Sequence, residues 1–252
     1  MVQNNELEGK RALVTGGSRG IGAGIVQRLL DAGATVVATA RNTNPDTPAG
    51  AKFIIGDVGS ADGAGEVAKT ALEILGGIDI VVNNAGAGRT HPGGVMAIDD
   101  EQWQSALDLN FLPAVRLNAA LLPTLLAQRS GVIIHISSGV TKNPPAALLH
   151  YAAAKSALET YSKGLSLELA RSGIRVNTVT PGNVVSPGAD EVRRQLGDAF
   201  GFDPVNLVAG IPLGRIGVPK DIAEAVGFLV SDNASWITGA NLFVDGGGDP
   251  AV

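Results

Sequence analysis

Cysteine is absent from the 252-residue chain, which excludes disulfides, thiolate nucleophiles and cysteine-held zinc. Aromatic residues are scarce at 4%, so a core has to be assembled from Val, Leu, Ile and Ala. Charged residues make up only 17%, the formal net charge is −5 and no basic cluster stands out. Nucleic acid is therefore not expected as a partner. The chain also lacks an uninterrupted apolar run of membrane length. Its longest apolar segment, residues 112–128, carries Pro113, Arg116, Asn118 and Pro123. That suits a core helix better than a bilayer, so no membrane partner is expected. The opening residues do not follow a basic stretch with an apolar one, the order a secretory signal needs, and the expected location is cytoplasmic. The three histidines are too scattered for a metal site. His91, in a Gly-Pro loop, reads as exposed. His135, inside an apolar run, reads as buried and structural, and His150 as a residue that could border a pocket. Trp103 and Trp236 read as packing residues.

What the chain does have is 45% hydrophobic residues and 34 glycines, a composition that folds but needs many tight turns and close backbone approaches. Short β-branched runs alternate with longer helical ones. Residues 11–15, 35–40, 51–57, 78–83, 131–137, 174–180 and 240–245 read as strands. They are nearly continuous apolar runs, as strands covered on both faces should be. Helices are expected at 24–33, at 65–77, in two stretches after 99, and from 150 to 165. This alternation predicts a single α/β domain over 1–252, doubly wound in the Rossmann manner around a seven-stranded parallel sheet. Residues 183–218 mix Gly, Pro, charge and apolar residues, and the part near 187–211 reads as a substrate lid.

The first strand runs straight into Gly16, Gly17, Gly20 and Gly22, with a helix following. Small residues there let the backbone approach a phosphate, and the helix N-terminus points its N–H groups at the anion. The spacing is not the G-x-G-x-x-G of the best-known dinucleotide fingerprint, but the position between strand and helix is the right one. At the end of the second strand an acid would suit the ribose of NAD, whereas Ala40 and Arg41 stand there. Arg41, with Arg19 from the glycine turn, suits the extra phosphate of NADP. NADP(H) is therefore the expected cofactor, with NAD(H) as the alternative.

Tyr151 and Lys155 stand at i and i+4 of an Ala-rich helix and so share one face. Alone, the pair is open to a plain reading: an aromatic that packs and a lysine that reaches into solvent. The wider pattern adds to it. Thr15-Gly-Gly-Ser-Arg-Gly-Ile-Gly22, Asp57-Val58, Asn83-Asn-Ala-Gly86, Ser138, Tyr151-Ala-Ala-Ala-Lys155 and Pro181-Gly182 occur in this order. In that order and spacing the chain resembles the short-chain dehydrogenase/reductases, over nearly its whole length. Its closing segment looks like the tail of the 3-oxoacyl-carrier-protein-reductase-like members.

The resemblance implies roles. Gly16, Ser18, Arg19, Gly20, Ile21 and Gly22 would cradle the cofactor phosphates. Asp57 would bond the adenine edge beside the Val58 backbone. Asn83 to Gly86 would end the fourth strand, with Asn84, Ala85 and Gly86 at the cofactor and Gly86 letting the backbone lie along its ribose. Pro181, Gly182, the Val184 backbone and Ser186 would bracket the nicotinamide. Asn110 matches the asparagine of a proton relay, and Ser138 matches the serine that orients the carbonyl. Ser137 competes for that role, but the family's usual gap to the tyrosine selects Ser138. Tyr151 would donate a proton to the carbonyl oxygen or act as base in reverse. An ammonium about 4 Å away is worth roughly 4 kcal/mol at an effective dielectric near 20, so Lys155 is expected to lower the tyrosine pKa.

The expected activity is interconversion of a ketone and a secondary alcohol with NADP(H), a 3-oxoacyl thioester being one candidate substrate. The lid, with Gly139, Val140, Pro144 and Pro145, would form the substrate pocket. Arg193 and Arg194 could meet an acidic carrier or simply be solvated helix charges. Family members mostly assemble as tetramers, and a homotetramer is expected. Two rivals remain at this point: an NAD(H)-dependent sugar or polyol dehydrogenase, and a catalytically silent nucleotide sensor.

Overall fold

The computed structural model describes residues 5–201 and 206–248. The apolar runs form β1 (Arg11–Thr15), β2 (Thr35–Ala40), β3 (Lys52–Ile55), β4 (Ile80–Asn83), β5 (Gly131–Ile136), β6 (Ile174–Pro181) and β7 (Asn241–Val244). All pair in parallel in one sheet of order β3-β2-β1-β4-β5-β6-β7. The order reverses between β1 and β4, where Ala12 pairs with Ile80 and Leu13 with Val81. Crossovers that leave in opposite directions open a crevice at the carboxyl ends of these strands, where ligands bind in open α/β sheets. The doubly wound seven-stranded parallel sheet is thus the observed fold.

The helices are α1 (Gly20–Asp31), α2 (Ala61–Leu75), α3 (Asp100–Asn110), α4 (Leu112–Gln128), α5 (Leu149–Leu169), α6 (Pro187–Phe200), α7 (Asn206–Ala209) and α8 (Pro219–Val230). Side chains alternate across each strand, which sorts the core into two layers. Ala12 and Val14 pack with Ile25 and Leu29 of α1 and Val226 of α8. Leu13 and Val81 pack on the other face with Val67 of α2, Leu117 and Leu121 of α4 and Leu165 of α5. By length and composition the run Asp100–Gln128 could cross a membrane. Phe111 breaks it in two (φ −125°, ψ −60°), and α4 turns Leu117, Leu121 and Leu125 to the sheet, fully buried.

Helix ends differ from the sequence reading for identifiable reasons. The second helix opens at Ala61, ahead of the predicted 65, because Ser60 caps it and accepts from the Gly63 N–H. The predicted irregular stretch after 183 contains a regular helix instead. Ser186 caps α6 by accepting from the Ala189 N–H, and Pro187 occupies the first turn, where its missing N–H costs nothing. Residues 202–205, within the expected lid, lie outside the described residues.

Candidate active site

A cavity of about 950 Å³ occupies the crevice at the carboxyl ends of the strands. Its floor at one end is the turn from β1 into α1, where Gly16, Ser18, Arg19, Gly20, Ile21 and Gly22 all line it. The turn is held from behind. Thr15 Oγ1 accepts from the backbone N–H groups of Asn84 and Ala85, both at 3.0 Å. Asn84 Nδ2 returns bonds to the carbonyls of Thr15 at 2.9 Å and Gly16 at 3.2 Å. Sequence reading assigns no role of its own to Thr15, although its hydroxyl ties β1 to the loop after β4. A Cβ on Gly22 would meet the Gly16 carbonyl oxygen at 2.0 Å, so only glycine lets helix and turn close into this cradle. The cradle has the shape and the N–H supply that a dinucleotide phosphate requires.

Beyond the turn, Arg41, Asn42 and Thr43 extend the wall, with no carboxylate between residues 40 and 45. Arg19 and Arg41 are exposed at this end. Asp57 and Val58 also line the cavity; Asp57 Oδ1 accepts from the Gly59 N–H at 2.9 Å, and Val58 is buried.

The opposite end brings together Ser138, Tyr151 and Lys155. Ser138 follows β5, and its side chain hydrogen-bonds Tyr151. Ser137 turns away and donates to Glu159 Oε1 at 2.6 Å, as alternation along a strand requires. Burial raises the Tyr151 pKa, and the Ser138 bond offsets this in part. The lowering by Lys155 expected from the sequence is absent. Lys155 Nζ instead donates to the Ile136 carbonyl at 2.8 Å, and burial pushes its own pKa down to about 8 against the opposing charge of Glu159. Asn110 is buried at the end of α3, outside the cavity wall. Its Oδ1 accepts from the Ala87 N–H at 2.9 Å and its Nδ2 donates to the Ala87 carbonyl at 3.0 Å. A Cβ on Gly86 would lie 2.8 Å from Asn110 Oδ1 and 3.2 Å from Lys155 Nζ, so Gly86 lets these groups meet the backbone after β4.

Pro181, Gly182, Val184 and Ser186 form the side of the cavity beneath α6. From α6, Val192, Arg193 and Leu196 face inward, and Thr90 donates its N–H to Gln195 at 3.2 Å, joining this helix to the loop after β4. The two arginines divide. Arg193 lines the cavity and donates to the Val184 carbonyl at 3.3 Å and to Asp190. Arg194 points outward and pairs with Glu191 and Asp198. Gly139, Val140 and Pro145 line the cavity, but Pro144 does not; Asn143 is the neighbour that does.

The histidine expectations need correction. His91 is buried, not exposed, because the loop after β4 folds under α5 and ties the His91 N–H to the Ala147 carbonyl at 2.9 Å. His150 does not line the cavity; it packs behind Tyr151, edge-on to His91 at 4.9 Å and to Trp103 at 6.2 Å. Trp236, expected to pack, is 99% exposed. His135 is buried between Asn118 and Ser162, each at 3.0 Å. Burial, with the Lys155 charge, pushes the His135 pKa down to about 3, and burial followed by the charges of His91 and Arg89 lowers that of His150. Below pH 6.5 the unfolded chain therefore takes up protons that the native chain refuses, and stability falls as pH falls. The expected slope approaches about 1.4 kcal/mol per pH unit for His135, whose native pKa lies well below this range; His150 adds in the same direction. Urea unfolding at pH 7.5, 6 and 5 checks this; an unfolding free energy flat across that range would contradict it.

Comparison with known proteins agrees with this geometry. Residues 16–249 match the family model described as enoyl-(acyl carrier protein) reductase. The 3-oxoacyl-[acyl-carrier-protein] reductase of Vibrio harveyi is 36% identical, over 96% of this chain and 98% of that protein. The proteins of the same name from Salmonella typhimurium and Escherichia coli are each 38% identical over the same shares. Among solved structures, ligand-free aldohexose dehydrogenase of Thermoplasma acidophilum superposes with a TM-score of 0.88 at 28% identity, covering 98% of this chain and 97% of that one. A short chain dehydrogenase/reductase family protein gives 0.85 at 35% identity, covering 98% and 100%. With the parallel sheet, the glycine cradle and the Ser138–Tyr151–Lys155 cluster on one cavity, these likenesses make the chain a member of the short-chain dehydrogenase/reductase family of oxidoreductases.

Proposed function

We propose that the chain is an NADP(H)-dependent reductase of ketones, with 3-oxoacyl thioesters as its substrate class, and that it oxidises the corresponding secondary alcohol in reverse. The observation that carries this reading is that Ser138, Tyr151 and Lys155 face the same cavity as Arg19 and Arg41. The names of the relatives at 36% and 38% identity support the thioester. Val140, Leu148, Val192 and Leu196 line the substrate end and suit an acyl chain.

NADP(H), held by the glycine cradle and the two arginines, would supply the hydride. Hydride addition builds negative charge on the carbonyl oxygen. Ser138 and Tyr151 offer two hydroxyls at one point, one to hold that oxygen and one to give it a proton. Burial keeps Tyr151 protonated at neutral pH, the state an acid needs. The ammonium of Lys155, with a pKa of about 8, remains charged at neutral pH and holds the Ile136 carbonyl at the end of β5, two residues before Ser138. Asn110 fixes Ala87 through both its N–H and its carbonyl, which holds the chain beside Gly86 in place.

A sugar or polyol dehydrogenase using NAD(H) would need Arg41 turned from the cofactor, and a silent sensor has no use for the proton-donor cluster; neither is favoured. We also infer a homotetramer. Trp236, Phe228 and Leu242 on one edge, and Leu126 and Leu167 on α4 and α5, leave apolar surface that further copies would cover.

The test is titration with NADPH and NADH, followed by nicotinamide fluorescence, on the native chain and on Arg41→Ala. NADPH is expected to bind at least about tenfold tighter, and the variant to lose most of that margin. Equal binding of NADH by the native chain would overturn the NADP assignment. Turnover of acetoacetyl but not crotonyl thioester is expected; the reverse would move the reaction to the carbon–carbon double bond.

A further inference from the structure

Three successive turns of α5 grip three neighbouring residues at the end of β5. Tyr151 bonds the Ser138 side chain, Lys155 Nζ holds the Ile136 carbonyl at 2.8 Å, and Glu159 Oε1 accepts from Ser137 Oγ at 2.6 Å. The first two belong to the cluster already described. Glu159 does not, and the short bond it forms with Ser137 is charge-assisted. The same oxygen lies 3.0 Å from Thr141 Oγ1, whose single hydroxyl hydrogen also faces the Ser138 carbonyl at 3.0 Å. Thr180 Oγ1 stands at 3.5 Å but donates at 2.6 Å to Asn241, so it adds little. One carboxylate therefore anchors the residue before Ser138 and, through Thr141, the turn after it.

We propose that Glu159 is a positioning residue. It locks the turn that carries Ser138 onto the helix that carries Tyr151, and it sets a fixed negative charge one helical turn from Lys155. The two effects are separable. A carboxylate gives Ser137 and Thr141 an acceptor, which a glutamine oxygen replaces. It also opposes the loss of the Lys155 proton, which glutamine cannot do. The inference rests on the reading of Ser138, Tyr151 and Lys155 as the proton-donor cluster.

Two variants and two readouts test it. The first readout needs neither substrate nor cofactor: carbon-13 NMR titration of the lysine Cε, with the Lys155 signal assigned by its loss in Lys155→Met. In the native chain Lys155 is expected to titrate near 8, apart from the surface lysines at about 10.4. In Glu159→Gln it moves to lower pH, and the alkaline fall in kcat/KM for reduction moves with it. Glu159→Leu also removes the acceptor, and kcat falls about tenfold or more while the NADPH Kd stays within about twofold. An unchanged Lys155 titration in Glu159→Gln would overturn the electrostatic half. Native kcat in Glu159→Leu would overturn the positioning half; should that variant not fold, Ser137→Ala with Thr141→Val asks the same question, and native kcat there is the same refutation. A native chain inactive on every ketone, with the NMR shift intact, would sink the reductase reading and leave the Lys155–Glu159 coupling standing.

Discussion

Tyr151→Phe is expected to lower kcat for ketone reduction by about three orders of magnitude, with the NADPH Kd within about threefold of native. The change removes one oxygen. The ring stays, so the packing behind it against the start of α5 stays as well. What goes is the hydroxyl that bonds the Ser138 side chain and can release a proton into the cavity. Ser138 alone can hold an oxyanion, but its own proton is far too tightly bound to be given up at neutral pH. General acid catalysis contributes about 10²- to 10⁴-fold, and the full effect falls on kcat because the hydroxyl acts after substrate is bound. Global stability should drop by no more than about 1 kcal/mol for one lost hydrogen bond. Steady-state kinetics beside the fluorescence titration would decide it. Activity within tenfold of native would mean that another group protonates the carbonyl.

Much of this site is legible in the amino-acid order alone. The glycine turn is legible because its chemistry is local: strand, small residues and helix start follow one another between Thr15 and Gly22. Ser138, Tyr151 and Lys155 stand out only through the resemblance to the short-chain dehydrogenase/reductases, since the i, i+4 pair alone is open to a packing reading and only the family's gap to the tyrosine selects Ser138 over Ser137. The sheet is legible because strands covered on both faces leave unbroken apolar runs, and β5 is buried at every position. What cannot be read this way depends on contacts between distant segments. Glu159 meets Ser137 and Thr141 across 22 and 18 residues, and nothing near Glu159 announces it. His91 sits among Gly and Pro, which mark a loop but say nothing about α5 lying over it. The charge state of Tyr151 escapes the sequence for the same reason. An i, i+4 pair fixes the neighbour, but burial by the rest of the fold outweighs it, and Lys155 has a backbone carbonyl to bind instead. The helix at α6 is hidden differently, since its Ser-Pro start is a sound helix signal that its Gly-rich surroundings obscure.

Gly22→Ala is expected to be among the most damaging single-methyl additions in the chain. Elsewhere in a helix the change from Gly to Ala stabilises by up to about 1 kcal/mol. Gly65 in α2 is exposed and a Cβ there meets nothing within 4 Å, so Gly65→Ala should follow that rule. At Gly22 the new methyl would lie 2.0 Å from the Gly16 carbonyl oxygen and 2.5 Å from Asn84 Nδ2, far inside ordinary contact. Neither neighbour can step aside cheaply. The Gly16 carbonyl belongs to the phosphate turn, and Asn84 Nδ2 is bonded to the carbonyls of both Thr15 and Gly16. Relief must come from moving α1 off the turn, which opens the cradle and breaks the tie to the loop after β4. Overpacking of this severity costs about 3 kcal/mol or more. NADPH affinity should fall at least about a hundredfold, because the N–H groups proposed to meet the phosphates move with the turn. The same methyl, added at two helical glycines, thus has opposite signs: the thermal unfolding midpoint should rise slightly for Gly65→Ala and fall steeply for Gly22→Ala. Native cofactor affinity in Gly22→Ala would show that the turn can shift without loss, and that close approach at this position is not what the cradle depends on.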